Sequence, residues 1–249
     1  MESKGNVVRA LVIAIAVVVC AFILKSAVVE FKTAGKGDGL SATGSASMDF
    51  ESDLVVWRCN FSTYAYDTAE AYAELNQQAE QVKKFLSDNG ISDDEVVFNA
   101  VDISSHYSTA YDADGYYAGS YEDGYDLYQT VTVTSTDIDK VEKVSRDISK
   151  LIANGVNLYS SSPEYYCTTL DEVKLELIEK ATDNAKQRLE IMADGSGCKL
   201  GELKTANLGV FQITAKNSGT TYYAYDGAFD TSSREKTASI TVKLNYDVK

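Results

Sequence analysis

Residues 238–248, ASITVKLNYDV, carry the clearest structural signal in the chain. Apolar residues occupy every second position from Ala238 to Val248, and polar residues lie between them. This period of two is typical of a β-strand with one buried face. A second stretch of the same kind lies at 55–62, where Val55 begins an apolar face and Arg58 lies on the polar one. The sequence therefore predicts amphipathic strands at both ends of the body.

Three stretches between these strands have the helical period of 3.6 residues. The first follows the capping residues Asp67 and Thr68 and stops at Asn89-Gly90. The other two cover residues 137–153 and 169–196. The predicted inward face of the first helix consists of Ala69, Tyr72, Ala79, Val82, Phe85 and Leu86.

A shift of 107 residues relates two parts of this pattern. It aligns Gly90 with Gly197, a strand predicted from Glu95 to Tyr107 with one predicted at 201–214, the loop 108–125 with 215–232, and the strand 126–134 with 233–241. We therefore predict an α+β body of two similar strand-helix-strand-loop-strand halves. The helix at 137–153 joins the halves, and antiparallel sheets pack on the helices.

The N-terminal segment is apolar without interruption from Ala10 to Leu24. Extended to Phe31, the segment is long enough to cross a bilayer if the Lys25 side chain reaches the interface and Glu30 lies at the interface. We predict a signal anchor at 1–32 that spans the membrane through residues 10–31, a linker at 33–39, and a domain at 40–249. The body then lies outside the cytoplasm of a single-pass membrane protein. A cleaved signal peptide is the alternative, with Thr33 and Gly35 as its cleavage residues.

Composition excludes several classes of function. The chain has 37 acidic and 23 basic residues and a formal net charge of -14, so nucleic acid is a poor partner. A single histidine excludes histidine triads and multi-histidine metal sites within one chain. Cys59, Cys167 and Cys198 lack metal-site spacing, and free thiols are favoured over a disulfide. We expect neither an enzyme nor a bound cofactor.

Tyrosine, glycine and aspartate crowd two loops that the repeat aligns. This composition is typical of adaptable recognition surfaces, and aromatic faces also suit sugar rings. The alternative is that the tyrosines pack on one another at the ends of long hairpins. The candidate binding residues are Tyr111, Tyr116, Tyr117, Tyr121, Tyr222, Tyr223 and Tyr225.

Two other candidate sites are weaker. Asp112-Ala113-Asp114-Gly115 offers oxygen ligands but lacks the glutamate that closes a calcium-binding loop, so a solvated loop without metal is favoured. His106 and Asp102 share one face of a predicted strand but lie about 13 Å apart along it. We therefore interpret His106 as an ordinary residue at a strand end. Pro163 predicts a sheet edge or a bulge.

The order of elements resembles the SIMPL domain family, a domain of unknown function. The resemblance rests on five blocks: LSATGSA at 40–46, the helix region 64–90, KATDNAK at 180–186, CKLGEL at 198–203 and SITV at 239–242. It implies an extracytoplasmic envelope protein that carries a signal or anchor and often assembles as oligomers. The family supplies no catalytic residues.

These observations favour a non-enzymatic binding or scaffolding module of the cell envelope. Self-association or an envelope protein partner is expected. The alternative is a protein that binds a glycan or a cation through the tyrosine- and aspartate-rich loops.

Overall fold

The computed structural model describes Lys25, residues 39–218 and residues 226–249. Its α-helices are α1 (Thr68–Asp88), α2 (Ile138–Asp147) and α3 (Leu170–Ser196). Its strands are β1 (Leu40–Glu51), β2 (Leu54–Ala65), β3 (Val96–Phe98), β4 (Asp102–Tyr111), β5 (Tyr117–Ser135), β6 (Leu158–Ser160), β7 (Glu164–Tyr166), β8 (Leu200–Leu208), β9 (Gln212–Ala215), β10 (Ala228–Phe229) and β11 (Glu235–Val248). The predicted α+β class with antiparallel sheets is confirmed.

The predicted membrane anchor lies outside the described residues, apart from Lys25. In the part of the chain that the structure covers, no helix is both long enough and apolar enough to cross a bilayer.

The chain forms two compact units from discontinuous segments. The larger unit comprises residues 46–180 and 210–241, and the smaller comprises the described residues up to Ser45 together with 181–209 and 242–249.

The sheet of the larger unit is built around the long antiparallel pair of β2 and β5. These strands pair from Val55 opposite Ser135 to Ala65 opposite Tyr125. β3 and β4 pair with the edge of β5 that faces away from β2, while β6 and β7 pair with the edge of β2 that faces away from β5. Pro163 lies between β6 and β7, so the predicted sheet edge there is confirmed. The predicted apolar face of β2 is fully buried and consists of Val55, Trp57, Cys59 and Phe61.

Helix α1 covers this sheet and begins where the sequence predicts. The Asp67 carboxylate accepts hydrogen bonds from the backbone N–H groups of Ala69 and Glu70, which caps the helix. The predicted inward face is partly wrong, since Tyr72 is 49% exposed. The apolar residues that α1 buries are Ala71, Leu75, Val82 and Leu86. Their spacing of about four residues keeps them on one continuous stripe, which Ala69 and Tyr72 do not share.

The predicted helix at 137–153 is confirmed, with a change of geometry along its length. Asp137 caps α2 by accepting from the backbone N–H of Lys140, and residues 148–154 continue as a 3-10 helix. Its buried residues are Ile138, Val141, Val144, Ile148 and Leu151.

The smaller unit contains a close approach of β1 to α3. A methyl group added to Gly44 would lie 2.2 Å from both the carbonyl oxygen of Ala181 and the amide nitrogen of Ala185. Arg188 donates to the carbonyl oxygen of Thr43 at 2.8 Å beside this contact. Only glycine fits at position 44, so the first block of the family resemblance includes a packing constraint.

Three predicted boundaries need correction. The single strand predicted from Glu95 to Tyr107 is divided into β3 and β4, and the strand predicted at 201–214 is divided into β8 and β9. The loop predicted at 108–125 is largely a β-hairpin. The aligned loop at 215–232 includes residues 219–225, which lie outside the described residues, so the repeat stays a prediction.

Candidate binding surface

The tyrosine-rich stretch forms a two-stranded ribbon at the end of β4 and β5. These strands pair from Asp102 opposite Tyr128 to Tyr111 opposite Tyr117. Pairing between β2 and β5 stops at Ala65 opposite Tyr125. Within the described residues, residues 106–124 therefore form a hairpin beyond the end of β2. We call these residues the tyrosine arm.

Glycine explains why composition indicated a loop here. The register of the hairpin shifts next to His106 and again next to Ala110. Gly124 and Gly119 lie opposite these two residues, with φ angles of 136° and 125° that favour glycine. The glycines thus accommodate β-bulges in a continuous hairpin.

The described candidate tyrosines are all exposed to solvent. Tyr111 is 67% exposed, Tyr116 72%, Tyr117 70% and Tyr121 54%. Tyr111 and Tyr117 are directly opposite each other, whereas Tyr121 is opposite Ser108. The structure therefore brings Tyr111, Tyr116 and Tyr117 together at the distal end of the arm and places Tyr121 farther along β5. Tyr222, Tyr223 and Tyr225 lie outside the described residues.

The tip of the arm is a turn organised by Asp112. Its carboxylate accepts from the backbone N–H groups of Asp114 at 3.0 Å and Tyr116 at 2.9 Å. The N–H of Gly115 donates to the carbonyl oxygen of Asp112 at 3.1 Å. Among the described residues, no group of three or more histidine, cysteine, aspartate or glutamate side chains is arranged to hold a metal ion.

The base of the arm contains a polar cluster that sequence reasoning missed. Nδ1 of His106 lies 2.7 Å from a carboxylate oxygen of Asp126, and its ring lies 4.7 Å from the Tyr64 ring in an edge-on arrangement. The Tyr64 hydroxyl donates to the carbonyl oxygen of Asp123 at 2.5 Å. Ser108 donates to the Asp123 carboxylate.

Strand pairing explains this choice of partners. Ser104 lies opposite Asp126, so His106, two residues further along β4, is a diagonal neighbour of Asp126 on the same face. Asp102, which the sequence analysis considered as a partner, lies opposite Tyr128. A correct prediction of the β4–β5 register was needed to identify Asp126, and one of the β2–β5 register, in which Tyr64 lies opposite Asp126, was needed to identify Tyr64.

The hydrogen bonds of this cluster connect residues of β2, β4 and β5 at the base of the arm. Burial, the hydrogen bond with Tyr66 and the nearby negative charge of Asp123 together raise the pKa of Tyr64 to about 12. Tyr64 is therefore a neutral hydroxyl donor near neutral pH. Because Ser108 donates to a carboxylate, its proton is engaged away from the imidazole. The hydrogen bond from Tyr64 to Asp123 joins the arm to β2.

The three described cysteines, Cys59, Cys167 and Cys198, are free thiols in this structure. Cys59 lies on the buried face of β2, and burial raises the pKa of its thiol to about 12. Cys167 and Cys198 are half-buried. Since a reactive thiol is an accessible thiolate, Cys59 is a packing residue.

Charge distinguishes the arm from the rest of the chain. No lysine or arginine occurs between Lys84 and Lys140. Six acidic residues lie between 102 and 126: Asp102, Asp112, Asp114, Glu122, Asp123 and Asp126. The arm therefore presents tyrosine rings and negative charge without a lysine or arginine nearby in sequence.

This chain belongs to the SIMPL family, described as a protein of unknown function (DUF541), whose model matches residues 40–246. The resemblance predicted from short sequence blocks is confirmed. The uncharacterized protein YggE of Edwardsiella ictaluri (strain 93-146) is 25% identical over 217 residues, which covers 86% of each chain.

A solved hydantoinase/carbamoylase family amidase from Burkholderia ambifaria was also compared. It aligns with 59% of this chain and 34% of its own, at 15% identity and a TM-score of 0.22. A likeness this small does not bear on the fold or on activity.

Proposed function

We propose that this protein is a membrane-anchored, non-enzymatic module of the cell envelope that binds a protein through its tyrosine arm. One observation carries the proposal. The arm extends a paired hairpin past the end of β2 and exposes Tyr111, Tyr116 and Tyr117 at more than two-thirds of their surface each. Large aromatic side chains on a rigid support commonly dominate the energy of protein interfaces.

Membership of the SIMPL family supports the non-enzymatic part of this proposal, because the family description assigns no activity. The partner is a second copy of the chain or another envelope protein. The body comprises two similar halves, of which the second contributes Tyr222, Tyr223 and Tyr225 to recognition.

Crosslinking in intact cells followed by mass spectrometry tests the binding role. Changing Tyr111, Tyr116, Tyr117 and Tyr121 to Ser should remove the main crosslinked species. A matched control changes Tyr72 and Tyr159, which are 49% and 69% exposed but lie outside the arm. Equal crosslinking by the wild type and both variants would contradict the binding role.

Cell fractionation tests the anchor separately. The full-length chain should remain in the membrane fraction after carbonate washing, because the 22-residue segment from 10 to 31, apolar except for Lys25, Ser26 and Glu30, is long enough to span the bilayer. Recovery of a soluble form that starts near Lys36 would instead identify residues 1–35 as a cleaved signal peptide.

A further inference from the structure

The outer edge of β4 is available for strand pairing. β4 spans ten residues and, among the described residues, pairs with β5 alone. In an antiparallel pair, alternate residues direct their N–H and C=O groups away from the partner strand. An exposed edge of this length is a template on which an extended peptide can add as a further strand.

Aromatic side chains line the same strand. Tyr107, Thr109 and Tyr111 alternate along β4, so they share one face of the hairpin. Tyr107 and Tyr111 are 61% and 67% exposed. A strand added at this edge would place its side chains about 5 Å from these positions, within contact of the rings.

The negative charge of the hairpin indicates which kind of peptide would bind. The hairpin from 102 to 126 contains six acidic residues and no lysine or arginine, and its single histidine, His106, contacts Asp126. Asp102 begins β4, and Asp112 follows its last residue, so negative charge lies at both ends of the open edge. A second copy of the arm would bring the same charges together, whereas a basic segment would neutralise them.

We propose that the β4 edge binds an extended, arginine-containing segment of a partner protein by strand addition. The proposal rests on the proposed function of the arm as a protein-binding surface and names the chemistry of its partner. Guanidinium groups stack on tyrosine faces and form paired hydrogen bonds with carboxylates. Arginine therefore matches both features of the arm through its planar guanidinium, whereas lysine offers each only a point charge.

A synthetic peptide provides the probe. It alternates arginine and threonine over about twelve residues, enough to cover β4. We expect it to bind the full-length protein in detergent, with an affinity that falls as salt rises. A glutamate–threonine peptide of the same length should not bind. Hydrogen exchange with mass spectrometry should show that amides in residues 102–111 exchange at least several-fold more slowly when the arginine peptide is bound.

Charge variants test the recognition directly. The triple variant Asp102→Asn, Asp114→Asn, Glu122→Gln should weaken peptide binding about tenfold, because it removes three of the six charges. The control variant Glu74→Gln, Glu80→Gln, Glu179→Gln removes three exposed charges from helices and should retain the wild-type affinity.

The outcomes separate this inference from the proposed function. Unchanged exchange of β4 amides with the arginine peptide would overturn the strand-addition inference. Protection in the free protein of the β4 amides that point away from β5 would also overturn it, because the outer edge would already be occupied. In either case, loss of cellular crosslinks on changing the arm tyrosines would leave the proposed function intact.

Discussion

The two parts of strand β5 share a backbone conformation and differ in what covers them. Residues 125–135 pair with β2 throughout, residues 125–128 also pair with β4 and residues 131–133 with β3, and Leu127, Val131 and Val133 are fully buried. Residues 117–124 pair with β4 alone, and Tyr117 and Tyr121 are exposed. A single strand thus serves as core at one end and as surface at the other.

This difference separates stability from recognition. Burying an aliphatic side chain stabilises a fold by about 1.5–3 kcal/mol, whereas an exposed side chain contributes little. The core around β2 and the buried part of β5 should therefore hold the larger unit together. The arm should then tolerate changes that alter its partners without unfolding the protein.

The largest expected effect comes from Leu127→Ala, which removes a fully buried side chain. It should lower the free energy of unfolding by about 2–5 kcal/mol, measured by urea denaturation. The matched control is Ile103→Ala, because Ile103 lies directly opposite Leu127 but is 58% exposed. Equal losses of unfolding free energy from the two variants would contradict the expectation that the buried Leu127 contributes more to stability than the exposed Ile103.

The boundary between the two parts of β5 can be tested with two glycines. A methyl group at Gly124 would lie 2.6 Å from the carbonyl oxygen of Ala65, whereas one at Gly119 would meet no atom within 4 Å. Both residues have positive φ, so both alanine variants carry backbone strain. Gly124→Ala should be more destabilising by about 1–3 kcal/mol in thermal or urea unfolding. Similar values for both variants would mean that the arm can move away from β2 at little cost.

The stability of the protein should also depend on pH through a carboxylate next to the buried part of β5. Hydrogen bonds from Ser135, the last residue of that strand, and from Ser92 lower the pKa of Glu95. A lowered pKa means that the stabilisation is complete above the ordinary value of 4.5 and is lost as pH falls through the folded-state pKa. Glu95→Gln should thus cost about 1 kcal/mol at pH 7 and less near pH 3.5.

Urea unfolding at both pH values measures this dependence. Glu74→Gln on the exposed face of α1 is the control and should be neutral at both. A Glu95→Gln penalty that grows as pH falls would contradict the assignment of the carboxylate as the stabilising form.

Local sequence patterns predicted the core of this fold well. The contacts that depend on pairing between distant strands could not be predicted from them. The alternation from Val55 to Phe61 and the cap at Asp67 depend on neighbouring residues, and both are present in the structure. The partner of His106 depends on the register of β4 against β5, which two bulges shift. Because a bulge glycine and a loop glycine look alike in sequence, composition indicated a loop where the chain forms a hairpin.

The smallest effect on stability should come from the exposed tyrosines. Replacing Tyr111 and Tyr117 by Ser removes two side chains that face each other at the distal end of the arm. Each change should alter the free energy of unfolding by less than about 0.5 kcal/mol, because neither side chain is buried. Urea denaturation of the double variant measures this directly, with Leu127→Ala as the reference for a buried residue. A loss of several kcal/mol would show that the tyrosines form a packed cluster, and the arm would then belong to the core.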